Sequence, residues 1–200
     1  PEQVYSLYKK QRDVTGAPRW DLSVDLAEDD QSERLVVHNR DLVVFGPGFR
    51  EGRGFGAVTL TNFERDSDLE SVTTRDVTGD GKHEIVVEGL LRSTLPDDLG
   101  GGEALMEVVF VYKLNSGHFD RIFAAQVGRR VGNKRVSANL SFATGGNIEL
   151  RPGKAVGYAE DSYPWQQKTD PDGDVEPLLL PWGGIDRVRL RYDGTKFKRL

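Results

Sequence analysis

The chain has 200 residues, 30 % of them charged and 37 % hydrophobic, with a net charge of −5 and no cysteine. That length and apolar content fit one folded domain or two small ones. The negative balance argues against nucleic acid or an anionic membrane as the main partner, and the lack of cysteine excludes disulfides, thiol catalysis and cysteine-based metal centres.

In chain order, Val4, Leu7 and Tyr8 could share a helical face, although Val4, Ser6 and Tyr8 could equally alternate along a strand. Asp13-Val14-Thr15-Gly16 reads as a turn, and Trp20, Leu22, Val24 and Leu26 alternate with polar residues as a half-buried strand does. Asp41 to Phe45 is a second short strand reached through the turn His38-Asn39-Arg40. The glycine-rich stretch from Gly46 to Gly56 leads into the β-type run Ala57 to Thr61, not into a helix, so a loop is expected there and not a phosphate cradle.

The most informative stretch runs from Asp76 to Glu84 and continues as Ile85-Val86-Val87. Asp76, Thr78 and Asp80 place side-chain oxygens at relative positions one, three and five, Gly81 provides the turn at six, Lys82 offers a carbonyl at seven, and Glu84 stands at nine. Alternating oxygen donors on a tight loop suit Ca²⁺, a hard cation that takes six to eight oxygens. A turn closed by its own Asx hydrogen bonds is the alternative for the same residues. Asp25, Asp29 and Glu33 repeat the spacing 51 positions earlier (Asp25 to Asp76) and also precede an apolar run, but Ala27 and Asp30 replace the hydroxyl and the glycine. That copy is expected to share the shape and to hold no ion.

The pattern D-x-T-G-D-G-x-x-E-I-V-V resembles the calcium loops of FG-GAP/VCBS repeats, the repeats of integrin-type β-propellers and bacterial surface proteins. Phe55-Gly56-Ala57-Val58 echoes their Phe-Gly signature. The resemblance implies a Ca²⁺ cofactor held by Asp76, Thr78, Asp80, Lys82 and Glu84, and an exported or cell-surface location. Thr78 departs from the Asp or Asn that the family prefers.

Further along, Leu105 to Leu114 is apolar on both faces in its middle, as a central strand is. The hairpin at 106–123 recurs at 186–200, each with a Gly-x-Phe or Gly-x-x-Phe turn. Arg187, Arg189 and Arg191 form a polar strand face, and His38, His83 and His118 are expected on the surface. From Gly157 to Gly184 no periodic run is long, and Tyr163, Trp165 and Trp182 accompany an acidic turn at 170–176. Connections of this length are usually functional or disordered, and disorder fits poorly because the tryptophans and Leu178-Leu179-Leu180 give the segment apolar surface to pack. These aromatics form a candidate partner site unless all three are buried.

The expected architecture is a single all-β domain over 1–200 of antiparallel hairpins in blade-like units, with loop–strand repeats at 25–45 and 76–91, or else a β-sandwich. The expected function is a non-enzymatic, calcium-binding structural or interaction module contacting a protein or polysaccharide surface, with no nucleic-acid partner and no membrane insertion. A carbohydrate-binding or carbohydrate-active domain using 157–184 is the alternative.

Overall fold

The computed structural model describes residues 2–27, 31–47 and 50–200. One α-helix, α1 (Glu2–Arg12), precedes two antiparallel sheets. The first sheet runs in sequence order through β1 (Trp20–Val24), β2 (Glu33–His38), β3 (Asp41–Phe45) and β4 (Gly56–Thr59). The second is nine-stranded. It begins with β5 (Leu69–Arg75), β6 (Glu84–Thr94), β7 (Glu103–Asn115) and β8 (His118–Val131), and continues through β9 (Lys134–Ala143) and β10 (Asn147–Val156). After β10 come β12 (Val188–Tyr192) and β13 (Phe197–Arg199), while the short β11 (Val175–Glu176) lies parallel to β8. The fold is therefore all-β, with open sheets and no closed barrel among the described residues. The first sheet has the size of one blade, and the rest continues as a single sheet.

Alternation along the strands sets the layers, because successive side chains point to opposite faces. Leu35 and Val37 of β2 pack with Ile85, Val87 and Phe110 of the large sheet, whereas Val36 joins Val43 and Phe45 under α1. The order across the molecule is thus helix, small sheet, large sheet. On the far face of the large sheet, Val86, Val109, Val111 and Phe123 share a core with Ile148, Leu150, Leu190 and Phe197. The later strands therefore fold back over the earlier ones. The break that permits this is visible in the pairing: β8 meets β9 only from Gly128 to Val131.

Of the two readings of the N-terminus the helix is the one formed, but its buried face is Val4, Tyr5 and Tyr8, while Leu7 is 41 % exposed. The tyrosines are preferred because their hydroxyls find partners at the β2–β3 turn. Tyr5 Oη lies 3.0 Å from His38 Nδ1, and Tyr8 Oη donates to Asp41 Oδ2 at 3.0 Å. A buried tyrosine needs such a partner, which leucine neither needs nor supplies. His38 is accordingly not a surface residue: it is 3 % exposed and its Nε2 lies 2.9 Å from the Thr15 carbonyl. His83 and His118 are exposed as expected.

The hairpins at 106–123 and 186–200 are both antiparallel but turn differently. Asn115 pairs with His118 across a two-residue turn, and Tyr192 pairs with Phe197 across a longer one in which Asp193 Oδ1 accepts from the Thr195 and Lys196 N–H groups, both at 2.9 Å. Of the arginine row, Arg189 pairs with Glu149 at 3.3 Å.

Candidate functional site

The loop from Asp76 to Glu84 enters from β5 and leaves into β6, at a junction of several segments. Gly79 and Gly81 take φ of +80° and +87°, the left-handed region that side chains rarely adopt. Asp76 Oδ1 accepts from Gly79 N at 2.6 Å and Oδ2 from Gly81 N at 3.0 Å, so this carboxylate closes the turn from inside. Glu84 is fully buried, and its Oε2 accepts from Val77 N at 2.8 Å and Thr78 N at 3.0 Å.

The remaining donors converge, and what they converge on is an ammonium. Lys113 Nζ lies 2.6 Å from Asp80 Oδ2, 2.8 Å from Glu84 Oε1 and 3.4 Å from Thr78 Oγ1. Thr78 Oγ1 also donates to Glu84 Oε1 at 3.1 Å. Three of the five expected ligands, Thr78, Asp80 and Glu84, thus meet at one point. Asp76 serves the backbone; Lys82, expected to offer its carbonyl, also places its ammonium 2.9 Å from Asp25 Oδ2 in the neighbouring loop. As arranged, these residues do not fit a calcium shell, because Lys113 stands at the point that the side-chain oxygens surround. Nothing in the loop's spacing pointed to Lys113, which sits on β7, where Glu84 precedes the pair Ile85–Tyr112. The available signal was one lysine directly after the apolar run Val108 to Tyr112 of β7, a position that costs stability unless the charge is paired.

The earlier copy ends in the same way. Glu33 is 1 % exposed, and its Oε2 accepts from Leu26 N at 2.9 Å and Ala27 N at 3.1 Å, the counterparts of Val77 and Thr78. Asp29 lies outside the described residues. The cation differs. One step beyond the pair Arg34–Phe45 stands Gly46, where β7 has Lys113, and a Cβ there would lie 3.0 Å from the Glu33 Cα. Among the described residues, Glu33 Oε1 and Asp25 Oδ1 have no hydrogen-bond partner. The two loops touch through His83 N, which donates to the Asp25 carbonyl at 3.2 Å.

Burial works to raise the Asp80 carboxyl, but the hydrogen bonds from Lys113 and the Lys82 N–H outweigh it and hold the pKa below the ordinary value. Burial likewise works to lower Lys113, and its bonds to Asp80 and Glu84 overcome this and raise it. A depressed carboxyl stabilises the fold above its unfolded pKa and loses that contribution as pH falls through the folded one; a raised ammonium stabilises below its unfolded pKa and loses it as pH rises through the folded one. The group therefore contributes fully between about pH 4 and about pH 10. Urea melts of wild type and Asp80→Asn should converge below about pH 4 and diverge above it. A gap that stays the same as pH falls from about 7 to about 3 would contradict the assignment.

The aromatic segment forms a second candidate region. Tyr163, Trp165 and Trp182 are all half-buried, so none is sealed in the core. Tyr163 is the hub, with ring centroids 5.2 Å from Trp165, 5.5 Å from Trp182 and 5.5 Å from Tyr158. The cluster rests on Val136, Leu178 and Leu180, which pins the long connection to the sheet. Burial raises the Tyr163 phenol, against the nearby Arg129 charge that lowers it. Three of the four carboxylates of the acidic turn are ion-paired: Asp172 with Lys168 at 2.6 Å, Asp174 with Arg121 at 2.8 Å and Glu176 with Arg199 at 2.7 Å.

Comparison with protein-family models, with curated proteins and with solved structures finds no match to this chain.

Proposed function

We propose that this chain is a non-enzymatic interaction module whose contact region is the half-exposed aromatic cluster of 157–184, and whose Asp76–Glu84 loop is a structural joint that uses Lys113 as its cation. The observation that carries the reading is the cluster itself: Trp165 and Trp182 each pack on Tyr163 in tilted or edge-on contact, yet all three side chains stay partly exposed. Rigid aromatic side chains that are apolar and only partly covered are what a polymer surface binds with little entropic cost. The lowered carboxyls of Asp21, Asp68 and Asp80 trace to Arg34, Arg92 and Lys113 once burial is overcome, an arrangement suited to holding a fold together.

Retention on a panel of insoluble polysaccharides tests this. The wild type should be held by at least one of them and Trp165→Ala released, with both variants folded by near-UV circular dichroism. Retention that is equal for the two would remove the cluster from the contact region. Release of soluble sugar by the wild type would overturn the non-enzymatic part and favour the carbohydrate-active alternative.

A further inference from the structure

Behind the aromatic cluster, between the 157–184 connection and the large sheet, lies a recess of about 480 Å³. Leu91, Met106 and Val108 supply its sheet side, Leu178 and Leu180 an adjoining wall, and Tyr163 with Trp165 the aromatic side. The volume falls within the range of small-molecule pockets, roughly 300–1,000 Å³, which are mostly apolar with a few convergent polar groups.

Four charged residues line the recess: Arg129, Lys168, Asp172 and Glu176. Lys168 and Asp172 neutralise each other at 2.6 Å. Glu176, 5 % exposed, is held by Arg199 through Nε at 2.9 Å and a terminal nitrogen at 2.7 Å. Arg129 is left over. Its guanidinium stacks over Trp165 at 4.4 Å, and its terminal nitrogens reach only Tyr163 Oη at 3.4 Å, Gln126 Oε1 at 3.3 Å and Met106 Sδ at 3.7 Å. All three are neutral, the two oxygen contacts are long, and Arg129 meets no carboxylate among the described residues. Its neighbours Arg130 and Arg135 both have Glu107. A half-buried guanidinium without a counter-charge is costly, and a guanidinium stacked on a ring still has its N–H edge to offer a carboxylate.

We propose that the recess binds a small organic anion, its carboxylate on the Arg129 guanidinium and its apolar body against Leu91, Met106, Val108 and Trp165. With Arg199 counted as the partner of Glu176, the group holds three positive and two negative charges, so a carboxylate on Arg129 would balance it and form the bidentate pair that arginine geometry favours. This goes beyond the polymer contact of the preceding subsection. Since Trp165 serves both, Arg129 is the residue to change.

The test is calorimetric titration with octanoate and with 1-octanol, which share a chain and differ in the charged head. Wild type should bind octanoate about tenfold tighter than octanol or better. Arg129→Gln should lose that preference while binding octanol within about twofold of wild type, and Arg129→Lys should keep part of it, since it retains the charge and loses the fork. Equal binding of the two compounds by wild type, binding of neither, or a preference that survives Arg129→Gln would each overturn the proposal. The wild-type comparison decides the matter even if Arg129→Gln does not fold. None of these results bears on polysaccharide retention, which Trp165→Ala tests separately.

Discussion

Lys113→Met should lower stability by about 3–5 kcal/mol, the cost of stripping one partner from a buried ion pair. The reason is Glu84, whose side chain is fully buried and whose Oε1 keeps only Thr78 Oγ1 once the ammonium is gone. In a chain of this size that corresponds to about 10 °C in melting temperature. Asp80→Asn should cost much less, on the order of 1 kcal/mol or below, because Asp80 is 46 % exposed and water replaces its share of the pair. The ordering is the informative part. Urea denaturation of the two variants beside wild type measures it, and a Lys113→Met protein within about 0.5 kcal/mol of wild type would mean that the ammonium does not hold the loop.

The next largest effect is expected at Gly146, which packs against the same loop from the other side. Gly145 and Gly146 take nearly equal φ, +71° and +70°, in the turn between β9 and β10. They differ in surroundings. A Cβ on Gly145 would meet only the Asn147 amide at 3.7 Å, whereas one on Gly146 would collide with the Thr78 carbonyl oxygen. Gly145→Ala should therefore carry only the left-handed penalty of about 1–2 kcal/mol. Gly146→Ala should add an overpacking cost of about 1–3 kcal/mol and push the Asp76–Glu84 loop away. Thermal melts of this matched pair isolate the contact; equal melting temperatures would show that the two turns do not bear on each other.

What the sequence made legible was local. Period-two alternation marks β1, the apolar run Ile85-Val86-Val87 marks β6, and the Asn115-Ser116-Gly117 turn marks the β7–β8 hairpin, because those signals lie within a few residues of the structure they cause. The Asp76–Glu84 spacing likewise brought Thr78, Asp80 and Glu84 to one point, and the 51-position repeat carries the same glutamate cap at Glu33 and Glu84. The cation was not legible, since Lys113 comes from a strand that neighbours the loop only through sheet register. Arg129 was hidden for a related reason: within the basic run from Val127 to Arg135, only pairing in space separates it from Arg130 and Arg135, which share Glu107. The fold-back of β10, β12 and β13 over β6 to β8 was also out of reach, because it depends on where β8 and β9 stop pairing and not on any residue pattern.

The central claim, that the Lys113 ammonium takes the place of a metal cation, is tested most directly by melting the wild-type protein in excess chelator and in millimolar Ca²⁺. A loop whose side-chain oxygens already surround an ammonium should give the same melting temperature in both. A calcium ion bound only by the folded chain would stabilise it by about 2.7 kcal/mol at one hundred times its dissociation constant, or several degrees. A saturable rise of that size, lost in Asp80→Asn, would contradict the account and restore Asp76, Thr78, Asp80, Lys82 and Glu84 as calcium ligands.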